Sequence, residues 1–273
     1  MKISIITATF NSGGTVRDTL ESVLRQDYKD YELIIKDGGS KDNTLDICRE
    51  YIPRFEGRMR ILAEPDKGIY DAMNQGIAAA TGEVVGILNS DDFYTSFDVL
   101  TAVARRFEKY PDIDAVYGDV KYVEWDDTTR MVRYYSSKAF RRWWMRLGFM
   151  PAHPSFYCKK SVYERFKLDG HKIDGFKGNP DTAYFNTTYK IAADFENLLR
   201  MIYKGRIKTH YIWKLFVNMR VGGASSSGMA SHKQINKDHM RAFKENGVYS
   251  NYFLISLRYC YKLVELALGR VRR

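Results

Sequence analysis

The feature that most constrains the fold is an alternation, from Ile3 to Leu88, of short apolar runs with segments of helical period. Ile3–Thr9, Tyr31–Lys36, Arg60–Ala63 and Glu83–Leu88 read as strands. Between them, Thr15–Gln26 puts Leu20, Val23 and Leu24 on one face, Asp42–Tyr51 opens on an acidic cap, and Ile69–Ala80 is a helix of small residues. This βαβα rhythm predicts an α/β fold, a mostly parallel sheet with helices on both faces. Further on, Ala115–Trp125 and Met131–Tyr135 flank Asp126-Asp127-Thr128-Thr129 and predict a hairpin. Ile191–Tyr203 returns to a helical period, Gly222–Gly228 reads as a loop, and the chain from Gln234 is helical and basic.

Each early strand ends in a polar cluster, and ligands of open α/β sheets bind just beyond the carboxyl ends of the strands. The first cluster is Thr7-Ala8-Thr9-Phe10-Asn11, whose small hydroxyl residues let a nucleotide lie close to backbone amides. The second, Lys36-Asp37-Gly38-Gly39-Ser40, offers Asp37 as an acceptor for a pyrimidine N–H or a ribose hydroxyl, beside glycines that permit a tight turn. In the third, Lys67 sits near a helix N-terminus, where anions are favoured, and Asp71 and Asn74 share a helix face. The fourth, Asn89-Ser90-Asp91-Asp92, delivers adjacent carboxylates suited to a hard divalent cation. Taken singly, each cluster equally fits strand ends and turns whose polar residues cap the next helix.

A chain of 273 residues accommodates one large α/β domain with an appendage. Cys48, Cys158 and Cys260 have neither metal spacing nor a disulfide framework, which points to a reducing compartment. Met1–Thr7 is too short for a signal peptide, and no run approaches the length of a spanning helix. The net charge of +10 directs attention to anionic partners, namely nucleotide phosphates, acidic lipid or nucleic acid. No helix-turn-helix, zinc module or aromatic-rich binding strand supports nucleic acid.

Four clusters in order make the sequence resemble the family-2 glycosyltransferases of the GT-A fold. The residues that carry the resemblance are Thr7–Asn11, Asp37–Thr44, Asp71–Gly76 and Asn89-Ser90-Asp91. The match is close over about the first hundred residues and looser to about residue 223. The resemblance implies nucleotide-sugar chemistry, with Thr7, Thr9, Asn11, Asp37, Lys67, Asp71, Asn74, Asn89 and Ser90 on the donor. It implies Asp91 as the ligand of Mn²⁺ or Mg²⁺ against the diphosphate, supported by Asp92. Asn89 replaces the first Asp of the family's metal motif and brings less charge.

Ala192-Ala193-Asp194-Phe195-Glu196 resembles the family element that carries the catalytic base, so Asp194 is the expected base and Glu196 the fallback. As residues alone, both also suit the first turn of an amphipathic helix. Pro151–Tyr157 resembles the acceptor-side segment, where His153 is a candidate acceptor or metal support. Residues 168–182 form an insertion with rival carboxylates Asp169, Asp174 and Asp181. Met219–Ser225 resembles the family's M-R-x-G-G-x-S turn, which reads equally as a lid or a linker.

These features predict a catalytic domain over 1–223 and a loop with a basic amphipathic helical extension over 224–273. In that extension Phe253, Leu257, Val264 and Leu268 recur at helical spacing among Arg258, Lys262 and Arg270. Either contact with an anionic membrane or packing on the domain fits this pattern, and Trp143-Trp144 is a second candidate membrane contact. The expected activity is inverting transfer of a sugar, a UDP-sugar favoured, to a glycan or lipid-linked acceptor in polysaccharide biosynthesis, at the cytoplasmic face of the cell membrane. A sugar-nucleotide nucleotidyltransferase and a basic nucleic-acid-binding protein are the alternatives.

Overall fold

The computed structural model describes residues 1–222 and 229–258. The strands are β1 (Ile3–Thr9), β2 (Tyr31–Asp37), β3 (Met59–Ala63), β4 (Val84–Ile87), β5 (Phe93–Tyr94), β6 (Ala115–Val123), β7 (Met131–Tyr135), β8 (Tyr157–Lys159) and β9 (Thr209–Arg220). The helices are α1 (Val16–Leu24), α2 (Thr44–Tyr51), α3 (Ile69–Ala79), α4 (Val99–Lys109), α5 (Lys160–Arg165), α6 (Ala193–Leu198) and α7 (Met229–Glu245). One sheet runs in the order β3-β2-β1-β4-β8-β6-β9-β5, with β7 added on β6. The first four strands are parallel, as the alternation predicted. Beyond β4 the sheet is mixed: β8 is antiparallel to β4 and β6, and the expected hairpin pairs β6 with β7.

Period-two alternation along β1 divides the core. Ile3 and Ile5 join Leu20, Val23, Val99 and Phe107 under α1 and α4. Ile6 joins Met73, Ile77, Phe195 and Leu198 under α3 and α6. A Cβ on Gly76 would come 2.4 Å from the Ile6 side chain, so glycine lets α3 lie directly on β1. The two layers hold the carboxyl ends of β1, β2 and β4 side by side, which is where three of the polar clusters emerge.

The described part of the C-terminal extension packs on this body. Ala242, Phe243 and Ile255 belong to the apolar layer that contains the α6 residues. Arg258, expected on an outward basic face, is buried instead: it bonds the Asn236 amide oxygen at 2.5 Å and the His239 ring at 3.0 Å. Docking therefore uses Ile255 and Arg258, and the predicted apolar stripe of Phe253 and Leu257 faces outward. The remainder of the expected tail helix, 259–273, and residues 223–225 of the expected 219–225 turn lie outside the described residues. Among the described residues no helix is long and apolar enough to cross a membrane.

Candidate active site

The strand-end loops are laced to one another. Asp37 is fully buried and accepts four hydrogen bonds, from Thr9 Oγ1 (3.0 Å), Ser40 Oγ (2.5 Å) and the Gly39 and Ser40 N–H groups (2.9 Å each). Burial alone would raise its pKa, but these donors outweigh burial and hold the carboxylate below its usual range. Its expected direct contact with a nucleotide is corrected: a carboxylate has about four acceptor positions, and all are filled from within. Asp37 and Thr9 thus fix the second loop. Asn11, exposed with φ of 49°, extends the lacing by accepting from Lys41 N while its own N–H donates to Ser40 Oγ. Ser90 Oγ lies 2.8 Å from Ser12 Oγ and ties the fourth loop to the first.

Further donor expectations are corrected in the third cluster. Asp71 accepts from Lys67 N at 2.9 Å and from Gln75 at 3.1 Å, and so caps α3 from its first turn. It is buried, and the inserted segment closes over it: Gly178, at φ 86°, sits so near that a Cβ would overlap the Asp71 carboxylate. Asn74 grips one backbone residue twice, donating to Phe185 O (2.9 Å) and accepting from Phe185 N (2.7 Å). Asn74 is thus committed to Phe185, while both bonds to Asp71 fall on its Oδ2. Lys67 remains exposed beside the start of α3. The inserted segment is closed at its root by Leu168 N donating to Ala183 O at 2.9 Å. Of its rival carboxylates, Asp169 pairs with Lys172 and Asp181 with His171, both within the segment itself.

In the fourth cluster, Asp92 is buried, and first burial, then the charge of Asp91, push its carboxyl well above the usual range. Its partner is the Asn89 amide, at 3.3 Å. Asp91 is raised by burial, opposed by Arg220, and accepts only from its own amide. The Asn89 side-chain amide oxygen is buried with no hydrogen-bond partner among the described residues, as is the hydroxyl of Thr7 on the neighbouring strand. Thr7 is itself wholly buried, so it presents no surface to a nucleotide as had been expected. Buried oxygens without partners are rare in finished structures. Asn89 and Asp91 thus offer two uncommitted oxygens on one loop, and that donor set fits Mn²⁺ or Mg²⁺ completed by phosphate oxygens and water. Among the described residues no three His, Cys, Asp or Glu side chains gather as a self-sufficient metal cluster.

Arg220 was not singled out in the sequence. At the end of β9 its buried guanidinium donates to the Asp91 carbonyl (2.8 Å), pairs with Asp18 of α1 and lies over the Phe93 ring at 5.1 Å. It braces the cation loop from behind.

Asp194 lies in the first turn of α6, partly buried, and burial raises its pKa to about 6. It accepts from Phe195 N at 2.8 Å. A helix cap was the competing explanation for this residue. Its bond to Phe195 N serves that first turn, and Asp238 Oδ2 of α7 holds the chain just before it, accepting from Ile191 N (3.0 Å) and Ala192 N (3.2 Å). The Tyr70 hydroxyl holds the Ile191 carbonyl beside it. Glu196, the fallback base, is corrected. It is buried in a two-pronged pair with Arg200 (3.0 and 3.1 Å), with Asn246 also donating at 3.2 Å. His153 is buried edge-on to Phe185, with ring centroids 5.7 Å apart, and burial lowers its pKa to about 4, leaving a neutral imidazole. Tyr122, near the end of β6, has its pKa raised first by burial, with the charges of Asp92 and Asp194 acting in the same direction.

The family model for glycosyl transferase family 2 matches residues 4–166. The chain belongs to glycosyltransferase family 2. A "PGL/p-HBAD biosynthesis glycosyltransferase" of Mycobacterium bovis is 41% identical over 117 residues, 43% of this chain and 46% of that one. The poly-beta-1,6-N-acetyl-D-glucosamine synthase of Staphylococcus epidermidis is 36% identical over 117 residues, 43% of this chain and 28% of its own. The matched segment thus spans less than half the length of these family-2 relatives. Among solved structures, TarS of S. aureus in complex with UDP-GlcNAc superposes with a TM-score of 0.63 at 19% identity, over 87% of this chain and 66% of that one. The mannosyltransferase PcManGT of Pyrobaculum calidifontis, solved with GDP-Man and Mn2+, gives 0.56 at 15% identity, over 97% and 80%. These likenesses establish a shared glycosyltransferase fold.

Proposed function

We propose that this family-2 enzyme transfers a sugar, with inversion, from a UDP-sugar to a glycan or lipid-linked acceptor in polysaccharide or glycolipid assembly. The unit responsible is residues 1–223 with the extension 224–273 set against it. The observation that carries the reading is Asp194, a partly buried acid whose pKa burial raises, set in the first turn of α6 with the chain before it held by Asp238 of α7. With a pKa raised to about 6, Asp194 is ionised at neutral pH yet holds a proton more strongly than an ordinary Asp. The acceptor oxygen attacks the anomeric carbon, and its proton passes to the Asp194 carboxylate. The bond from that carbon to the diphosphate oxygen breaks, and the nucleoside diphosphate leaves with the electron pair.

Asp91, with Asn89, would hold Mn²⁺ or Mg²⁺, which when bound supplies positive charge for the leaving diphosphate. Arg220 keeps that loop in place. Asp37, Thr9 and Asn11 shape the nucleotide side through the backbone, and exposed Lys67 meets phosphate. His153 supports the acceptor side as a neutral hydrogen-bonding group. The protein acts on the cytoplasmic side, in peripheral contact with anionic membrane. The structures of TarS with UDP-GlcNAc and of PcManGT with GDP-Man and Mn2+ support the donor class and the cation.

The test is a panel of UDP- and GDP-sugars with Mn²⁺ or with chelator, scored for nucleotide release and for the anomeric configuration of the product. Cation-dependent turnover of a UDP-sugar with inversion is expected. Turnover unaffected by chelation, or retention of configuration, overturns the reading.

A further inference from the structure

We infer that the aromatic face built by the 3₁₀ turn Arg142–Leu147 and the helix 252–258 is the surface by which this protein lies on an anionic lipid bilayer. The inference rests on the proposed peripheral membrane contact and gives that contact a place.

Five large apolar side chains point outward here. Trp143 is 59% exposed, Tyr249 70%, Tyr252 60%, Phe253 71% and Leu257 37%. Single exposed apolar residues are ordinary, but a joined group marks an interaction surface. These are joined. Arg146 Nε donates to the Tyr249 carbonyl at 2.8 Å, its guanidinium covers the Tyr249 ring at 5.4 Å, and Ser250 Oγ returns a bond to the Arg146 carbonyl at 2.6 Å. The three-residue period of a 3₁₀ turn stacks Trp143 over Arg146, and one α-turn separates Phe253 from Leu257. The outward direction of the stripe is fixed, because the opposite face of the same helix is committed to the protein through Ile255 and Arg258.

Charge selects the occupant. The chain carries no Asp or Glu from Thr128 to Tyr163, nor from Asn246 to Arg258, and these are the stretches that build the face. Arg141 and Arg142 are exposed at the start of the turn. Basic residues beside Trp and Tyr, with Phe and Leu between them, match the layering of a bilayer surface: anionic headgroups, an amphipathic boundary, then acyl chain. The face also adjoins the acceptor side. The turn packs against the helical continuation Leu199–Lys204 of α6, and six residues after the turn the chain reaches His153. An acceptor anchored in the same bilayer would therefore be presented beside the base-bearing helix.

The experiment is sedimentation of the full chain with phosphatidylcholine vesicles and with vesicles containing phosphatidylglycerol, at low and high salt, alongside nucleotide release from soluble donor. Salt-sensitive binding to the anionic vesicles is expected. Trp143→Ser with Phe253→Ser should weaken it about tenfold or more, and Arg141→Glu with Arg142→Glu should remove the preference for phosphatidylglycerol, with donor hydrolysis kept in both. Independently of any variant, lipids brominated in the upper acyl chain should quench tryptophan fluorescence of the unmodified protein. Wild-type binding by both variants, or absence of quenching on bound vesicles, overturns the inference while leaving peripheral contact elsewhere intact. No binding of the unmodified protein to either vesicle defeats the peripheral reading itself. A dimer in solution that Phe253→Ser converts to monomer assigns the face to self-association and also overturns the inference.

Discussion

Glu32, at the amino ends of the parallel strands, and the acids Asp91, Asp92 and Asp194 are held in opposite ways. At the amino ends, Glu32 receives Ser4 Oγ (2.6 Å), Thr81 N (2.6 Å), Thr81 Oγ1 (2.8 Å) and Gly82 N (3.2 Å), with Lys2 and Arg60 within 3.5 Å. Burial works against its ionisation, but these partners win and hold its pKa near about 2. In the loop after β4 and the first turn of α6, Asp91, Asp92 and Asp194 are given few donors, and burial raises all three. The difference separates framework from function: one acid is satisfied by the fold, while the others are left for something the fold does not contain.

Four measurements would break or sharpen that contrast. The largest effect belongs to Asp194→Asn, which should lower the transfer rate by about 10²–10⁴ while donor binding persists. The same change should stabilise the protein near pH 8. A carboxyl raised from 3.8 to about 6 favours the folded state while protonated and opposes it as pH rises past that value. Removing the charge recovers on the order of 2 kcal/mol, visible as a higher melting temperature. A variant both inactive and less stable would place Asp194 with the framework. In the unmodified enzyme, transfer should fall as pH drops through about 6.

Asp91→Asn should come next, losing cation-dependent turnover by about a hundredfold and cation binding with it, read by Mn²⁺ titration with spin-resonance detection. Full activity in Mn²⁺ removes Asp91 from the cation site. Glu32→Gln should do the reverse, costing about 2 kcal/mol of stability with turnover unchanged. The stability owed to Glu32 is present above its unfolded pKa near 4.5 and is lost as pH falls toward about 2, so it survives where transfer has already ceased. The smallest effect should be that of Ser40→Ala, which removes one donor from Asp37 and should weaken UDP binding by about fivefold in calorimetry. Unchanged affinity would detach the Asp37 network from the donor.

The first half of the fold was legible because its signals are local. Apolar runs and helical periods from Ile3 to Leu88 named β1–β4 and α1–α3 closely, and the polar clusters marked the strand ends. What stayed hidden was set by partners remote in sequence. Asn74 meets Phe185 across 111 residues, and Arg220 meets Asp91 across 129. The chain leading into α6 is held by Asp238, 47 residues beyond Ile191. No period within a window encodes such pairings, so Asn74, Asp71 and Glu196 looked like site residues while holding the frame. Arg220 stood in a recognised turn, and only its bond to the Asp91 backbone gave it a role.

The closed root of the 168–182 insertion has a practical consequence. Its two ends meet through Leu168 and Ala183, and Asn74 secures the chain immediately beyond at Phe185. A segment whose ends already touch asks little of the scaffold beyond that junction and the glycine seat of Gly178 over Asp71, and loops of this kind tolerate exchange. The donor crevice is laced by other residues altogether, Asp37, Ser40, Asn11 and Ser12 among them. The insertion is thus a replaceable cassette on a fixed chassis, and libraries built there can vary what is approached from above without retuning what is gripped below.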